Sequence, residues 1–171
     1  MTIRVVIVAM LGIALGLGAL MYYLQVYAYY EEQSLEQAGG LHVVMSRTGE
    51  LEELPVTRFR AIDSDSSPIR FRACFETEVS RLDLAGAVMV EDAEPLVAPG
   101  WFDCFDAEAI GAELASGGAV AVLGQENVHY GIDRVLAITQ DGRGYAWHQI
   151  NSCGEVVFDG NPAPEGCPPA P

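Results

Sequence analysis

The hydrophobic positions fall into one long unbroken block followed by a series of short, interrupted ones. Residues 5–30 carry no charged side chain, and their most apolar part, VVIVAMLGIALGLGALMYYL, runs for twenty residues. As a helix rising ~1.5 Å per residue, that part spans roughly 30 Å, the hydrocarbon thickness of a bilayer. The block predicts a transmembrane helix over 5–30, preceded by a short N-terminal segment, 1–4. A polar stretch, EEQSLEQAGG (31–40), reads as a stalk. Beyond it the pattern changes to period two and to β-branched runs: LHVVMS, VTRFRAI and IRFRACF read as strands, the last two with arginines on one face. SRLDLAGAVMVED is ambiguous between a short helix followed by a strand and a strand alone. DAEAIGAELASGG predicts a helix, with Asp106 before its first turn and Gly117–Gly118 as its stop. Three strands follow, AVAVLGQ, VHYGIDRVLAIT and GYAWHQI, the last two joined by a turn at Asp141–Gly142. EVVF reads as a final edge strand. The pattern therefore predicts an α+β fold: one N-terminal transmembrane helix, then a small, mainly antiparallel β-sheet domain with one or two helices over 41–160. A Pro-rich tail, 161–171, ends the chain.

Aromatic and charged residues orient the block. Tyr22, Tyr23, Tyr27, Tyr29 and Tyr30 cluster at its end, where amphipathic phenols suit the passage from acyl chains to headgroups, and Glu31 and Glu32 follow. On the other side stand only the amino terminus and Arg4, while every acidic residue and the other arginines come later. Positive charge at a span's end favours the cytoplasm, so the expected arrangement is a cytoplasmic N-terminus and a periplasmic C-terminal domain at a bacterial inner membrane. The competing reading is a cleaved signal peptide, since VYA at 26–28 offers residues that a signal peptidase reads. Against it stand the length of the apolar block and the tyrosine-rich, rather than polar, end. Within the block, Gly12 and Gly16 form a G-x-x-x-G extended by Ala14 and Gly18, a small-residue face suited to packing against another span.

The four cysteines, Cys74, Cys104, Cys153 and Cys167, are an even set, as an oxidising compartment permits. They allow three pairings. Cys74 with Cys104 and Cys153 with Cys167 is the expected one, each closing a local loop and the second pinning GNPAPEGCPPAP. No C-x-x-C occurs, so a redox, haem or zinc-ribbon centre has no local signature. A copper-holding cysteine pair, joined by His129 and His148, is the alternative use of these sulfurs. The chain has no lysine and a net charge of −15, which excludes nucleic-acid binding and would attract a basic partner.

Candidate chemistry is sparse. APGWFDCFDAE places Trp101, Phe102 and Phe105 around Cys104; it suits a docking surface for a partner, or an aromatic plug that closes the core. DSDSSP starts like a calcium loop at Asp63 and Asp65, but Pro68 stands where glycine is needed and Cys74 where a bidentate glutamate is needed. A turn capped by short polar side chains fits it better. Neither a nucleophile elbow, an H-E-x-x-H helix nor a phosphate loop is present in 41–171, so no catalytic residue, metal ligand or cofactor is expected. Arg58, Arg60, Arg70 and Arg72, with His148, would form a small-anion site if the fold brought them to one cleft.

Together, YYLQVYAYYEE, SSPIRFRACF, APGWFDCFDAE, GQENVHYGIDRV, DGRGYAWHQI and NPAPEGCP resemble a family of small single-span membrane proteins from alphaproteobacteria that has no assigned function. The resemblance runs over nearly the whole chain. Some members of that family carry an automatic histidine-kinase label, which this sequence does not support: it has neither a phosphoacceptor helix nor a nucleotide-binding module. The resemblance supplies no site residues and implies a Gram-negative inner membrane with the domain in the periplasm. The expectation is a non-catalytic accessory subunit or assembly factor of a larger inner-membrane complex, a respiratory one with a basic c-type cytochrome as partner being a specific case. The alternatives are a periplasmic ligand-binding or sensory domain and a metal-handling protein using the cysteines.

Overall fold

The computed structural model describes residues 3–170; positions 1 and 2 of the expected N-terminal segment and position 171 of the tail lie outside the described residues. The apolar block forms α1 (Ile3–Tyr23), which continues into a π-helical turn, Leu24–Ala28, so the continuous helix ends two residues before the expected limit. None of its residues is buried, and its length and composition are those of a membrane span.

The remaining strands are β1 (Glu31–Gln33), β2 (His42–Val44), β3 (Leu51–Glu53), β4 (Thr57–Asp63), β5 (Arg72–Glu76), β6 (Ala119–His129), β7 (Ile132–Thr139) and β8 (Arg143–Ile150). Six of them form one sheet in the order β1-β4-β5-β8-β7-β6, and β2 and β3 form a separate hairpin; every pairing is antiparallel. Two helices complete the domain, α2 (Ala107–Ser116) and α3 (Ser152–Phe158), together with a 3-10 turn at Asp83–Gly86.

Both faces of the sheet are covered. One packs Phe71, Phe75, Leu136 and Ile138 beneath Leu41, Val43, Leu54 and Leu84; the other packs Ile62, Val135 and Trp147 beneath Phe102, Phe105 and Ile110. Double coverage removes the need for alternation, and β7 and β8 are accordingly buried along most of their length. α2 begins and ends as its residues dictate: the Asp106 carboxylate accepts from the Ala109 N–H, and Gly117 closes it at φ +75°.

Four segments differ from expectation. The polar stretch 31–40 is not a stalk. Its first residues are the edge strand β1, with Glu32 opposite Ile62, and Ser34 and Gln37 then cap each other in a tight turn that packs Leu35 and Ala38 on the core. VHYGIDRVLAIT is split by a hairpin turn at Tyr130–Gly131, so its first residues end β6 and the rest is β7. EVVF is the body of α3 rather than a strand: Asn151 accepts from the N–H groups of Cys153 and Gly154, and this cap outweighs the β-branched pair. Gly131 and Gly154 permit the contact between hairpin and helix, since a Cβ on Gly154 would stand 2.2 Å from the Gly131 carbonyl oxygen. SRLDLAGAVMVED resolves into the 3-10 turn and two isolated bridges, Met45 with Ala87 next to β2 and Met89 with Val122, the second of which covers the β6 edge.

Candidate functional site

The last carbonyls of a helix lack intrahelical partners, and near a bilayer an unpaired one is costly. In this chain the domain supplies the partner. The Trp101 indole N–H donates to the Val26 carbonyl at 2.7 Å, while its ring lies 6.4 Å from that of Tyr27 in a stacked arrangement and 6.1 Å from Tyr30 edge-on. At the adjacent Gln25, Arg70 donates to the side-chain oxygen at 3.0 Å and lies over the Tyr30 ring. The loop that carries Trp101 is itself fixed, by the Cys74–Cys104 disulfide to β5 and by Arg60, which bonds Asp103 at 3.0 Å and covers the Phe102 ring. Helix and sheet are therefore joined by a clamp at the C-terminal end of the apolar helix as well as by the chain itself.

This geometry assigns the three aromatics that the sequence offered for docking. Phe102 and Phe105 are buried, at 3% and 5% exposure, and plug the core. Trp101 alone stays partly accessible, and it is engaged with the helix. Tyr23 and Tyr27 stack on each other, and Tyr22, Tyr23, Tyr27 and Tyr29 are all exposed, whereas Tyr30 is partly covered by Trp101 and Arg70. The VYA of the alternative cleavage site lies inside the clamp, with Val26 holding Trp101. Around Gly12, Gly16 and Gly18 a Cβ would meet nothing within 4 Å, so the surface of α1 is open at each of these glycines.

The clamp yields a direct expectation. Trp101→Phe keeps a ring but removes the N–H; Trp101→Ala removes both. One lost hydrogen bond is worth ~1 kcal/mol and the stack a similar amount, so amide exchange over residues 24–30 should rise by roughly thirtyfold in the alanine variant and less in the phenylalanine variant. Hydrogen-exchange mass spectrometry of the detergent-solubilised chain measures it, and exchange unchanged in both variants would remove the clamp.

The four arginines do not converge. A bulge between Thr57 and Arg60, with Arg58 at φ +49°, breaks the alternation in β4. Arg58 then pairs with Glu76 on the surface, Arg60 with Asp103, and Arg70 reaches the helix. Arg72 is buried, its guanidinium held by the carbonyls of Ile69, Phe71, Leu96 and Val97; burial pulls its pKa down to about 10. The anion cleft that would have joined them is therefore not formed.

His148 is instead bound to Arg134, which sequence patterning did not single out. Arg134 Nε–H donates to His148 Nε2 at 3.2 Å, and its Nη1 donates to the carbonyls of Ala38 at 2.8 Å and Gly40 at 3.2 Å. Its guanidinium lies 4.4 Å from the Phe71 ring centroid, and that ring stacks on His148. Since Nε2 accepts, His148 carries its proton on Nδ1 and donates it to the Pro68 carbonyl at 2.7 Å. Burial first, and the Arg134 charge second, depress the His148 pKa to about 3. The neutral imidazole, locked on both nitrogens, ties the Pro68 loop to Arg134, which in turn holds the 34–40 turn to the sheet, and it has no free lone pair for a metal.

Both disulfides form as expected, Cys74–Cys104 and Cys153–Cys167, leaving no free thiol among the described residues for a soft metal. DSDSSP is a polar turn: the Asp63 carboxylate accepts from the Ser64 N–H, and the Ser64 and Ser66 hydroxyls bond each other. Among the described residues no group of three or more His, Cys, Asp or Glu side chains is placed to hold a metal ion.

Against known proteins, residues 41–168 match the model of a family of unknown function. No curated protein and no solved structure matches the chain.

Proposed function

The chain belongs to that family, DUF6446, which is of unknown function, and we propose that it acts by contact rather than by chemistry. In this reading it is a single-pass inner-membrane protein with its N-terminus in the cytoplasm and its domain in the periplasm. There it serves as an accessory subunit or assembly factor of a larger membrane complex. The observation that carries the proposal is the clamp between Trp101 and the end of α1. A domain tethered by a loose stalk could roam, whereas one fixed to its own helix presents a constant surface at a constant height. The helix keeps the face of Gly12 and Gly16 open, with Ala14 and Gly18, also four apart, on its opposite side, and close approach of another span at Gly12 and Gly16 would gain packing. The net charge of −15 gives the domain a field that favours a basic partner, of which a c-type cytochrome beside a respiratory complex is the specific case.

The test is purification of the tagged native chain from its own membranes in mild detergent, with co-purifying proteins quantified against a tag-only control. A stoichiometric membrane complex, lost when Gly12 and Gly16 are both replaced by leucine, is the expected result. Recovery of the chain alone, in both forms, would overturn the accessory role.

A further inference from the structure

Beside the turn of Asp63 lies a cavity of about 600 Å³, within the range of small-molecule sites and separate from the clamp. Its walls are apolar: Ile132, 2% exposed, forms the floor, and Tyr130, Val157 and Phe158 line the sides. Phe158 leaves 54% of its surface uncovered although it stands on a helix that packs against the domain, so the cavity has an unfilled aromatic wall. The walls are also fixed. The Cys153–Cys167 disulfide ties α3 to the tail, and the Tyr130 hydroxyl donates to the Pro168 carbonyl, holding the tail along the rim.

The polar end of the cavity carries negative charge. Asp63 and Asp65 both line it. Asp63 is half-buried, yet among the described residues its carboxylate accepts only the Ser64 N–H and has no cation within ion-pair distance. Arg134 and His129, which also lines the cavity, are near enough to act on Asp63 through their charge, but Arg134 gives its own hydrogen bonds to His148 and to two carbonyls, and neither side chain stands within ion-pair distance of Asp63. Burial raises the Asp63 pKa, the sign of a carboxylate that water solvates poorly. A half-buried carboxylate without a counter-ion, at the mouth of an apolar cavity, is complementary to an ammonium group on an apolar body. An anion would meet two carboxylates. A bare metal ion would find too few ligands and an apolar floor.

We propose that this cavity binds an organic ammonium ion, with the cationic nitrogen on Asp63 and the apolar body against Ile132, Val157 and Phe158. The proposal is independent of the accessory role. Its source is either a soluble amine or the amine headgroup of a lipid, for Asp63 and Asp65 also line a smaller hollow beside Ala28 and Tyr29 at the end of the membrane helix.

The probe is phenethylammonium, titrated calorimetrically into the full chain in uncharged maltoside micelles with empty micelles subtracted; phenylethanol and phenylacetate serve as neutral and anionic isosteres. The expected result is saturable one-to-one binding of the ammonium alone, weakened by about tenfold in Asp63→Asn and similarly in Phe158→Ala. Both variants should keep the parent melting temperature to within a few degrees, because neither residue lies in the core. Competition by phosphatidylethanolamine but not phosphatidylglycerol would assign the site to a lipid headgroup, and absence of competition to a soluble amine. Equal binding of the alcohol, or an Asp63→Asn variant that binds like the parent, would overturn the proposal.

Discussion

Replacing Arg134 by methionine is expected to destabilise the domain by about 3 kcal/mol, one of the largest effects available from a single side chain that touches no ligand. Methionine keeps apolar length over Phe71 but makes none of the three hydrogen bonds, to His148 Nε2 and to the carbonyls of Ala38 and Gly40. Each acceptor left buried and unpaired costs ~1–3 kcal/mol, and relief from burying a guanidinium offsets part of the sum. The loss should also be local in origin. The turn 34–40 is held to the sheet by these carbonyls, so its amides should exchange faster in the variant before the core opens. Arg143→Met is the control: Arg143 is half-exposed and pairs with Asp141 and Glu113 at the surface, where such pairs are worth ~0–1 kcal/mol. Thermal melting of both variants, with hydrogen exchange on the first, makes the comparison; equal shifts for the two would show that the buried position confers nothing.

Arg134 also marks where the sequence was silent. The long-range architecture was legible because its signals are local: an uncharged apolar block, a capped helix from Asp106 to Gly117, and a D-G hairpin between β7 and β8. The even cysteine count gave the disulfides by the same kind of reasoning. An arginine in IDRVLAIT, by contrast, looks like any surface position of a half-exposed strand. Only the second covered face of the sheet buries it, and that face is built by residues 38–43, more than ninety positions earlier. The clamp was half legible: Trp101 and the tyrosines each stood out, but nothing in either segment says that they meet across seventy-five positions.

Two misreadings had signals that could have corrected them. In SLEQAGG the reciprocal capping pair Ser34 and Gln37, the apolar Leu35 and Ala38, and Gly39 and Gly40 at positive φ spell a closed turn rather than a stalk. In NSCGEVVF the Asn151 cap and Glu155 in the first turn announce a helix that the strand-forming VV conceals. The physical lesson is common to both: over seven residues or so, end-capping hydrogen bonds decide the backbone more firmly than side-chain propensity does. Both segments bear on function. The turn closes the gap that a stalk would have left between α1 and the domain, and the helix supplies the apolar wall of the cavity beside Asp63.

Acidification should weaken the fold well above the range in which carboxylates titrate, and His148 should be the cause. In the unfolded chain this imidazole has an ordinary pKa of 6.5, whereas burial and the Arg134 charge hold it near 3 in the fold. The unfolded state therefore binds a proton that the folded state refuses. The stability that neutral His148 contributes is complete above pH 6.5 and is lost as pH falls toward 3, by ~1.4 kcal/mol per unit in between. The geometry enforces this, for a proton on Nε2 would face the Arg134 Nε–H at 3.2 Å and replace a hydrogen bond with two apposed donors. Asp63 acts in the opposite sense. Its raised pKa makes the fold take up a proton more readily than the unfolded chain, so it opposes the acid loss. Asp141, held down to about 2 by Thr139 and Arg143, contributes stability that is lost only as pH falls through the carboxylate range and below. Between pH 6.5 and about 4.5 the expected net change is a loss of roughly 2–3 kcal/mol, seen as a fall of roughly 10 °C in melting temperature followed by the fluorescence of the buried Trp147. His148→Gln can donate to the Pro68 carbonyl or accept from Arg134 but cannot titrate; it should melt lower than the parent at pH 7 and lose most of the slope across this interval. A parent profile that is flat from pH 7 to 4.5, or a glutamine variant as steep as the parent, would show that the imidazole is not held neutral between Arg134 and Pro68.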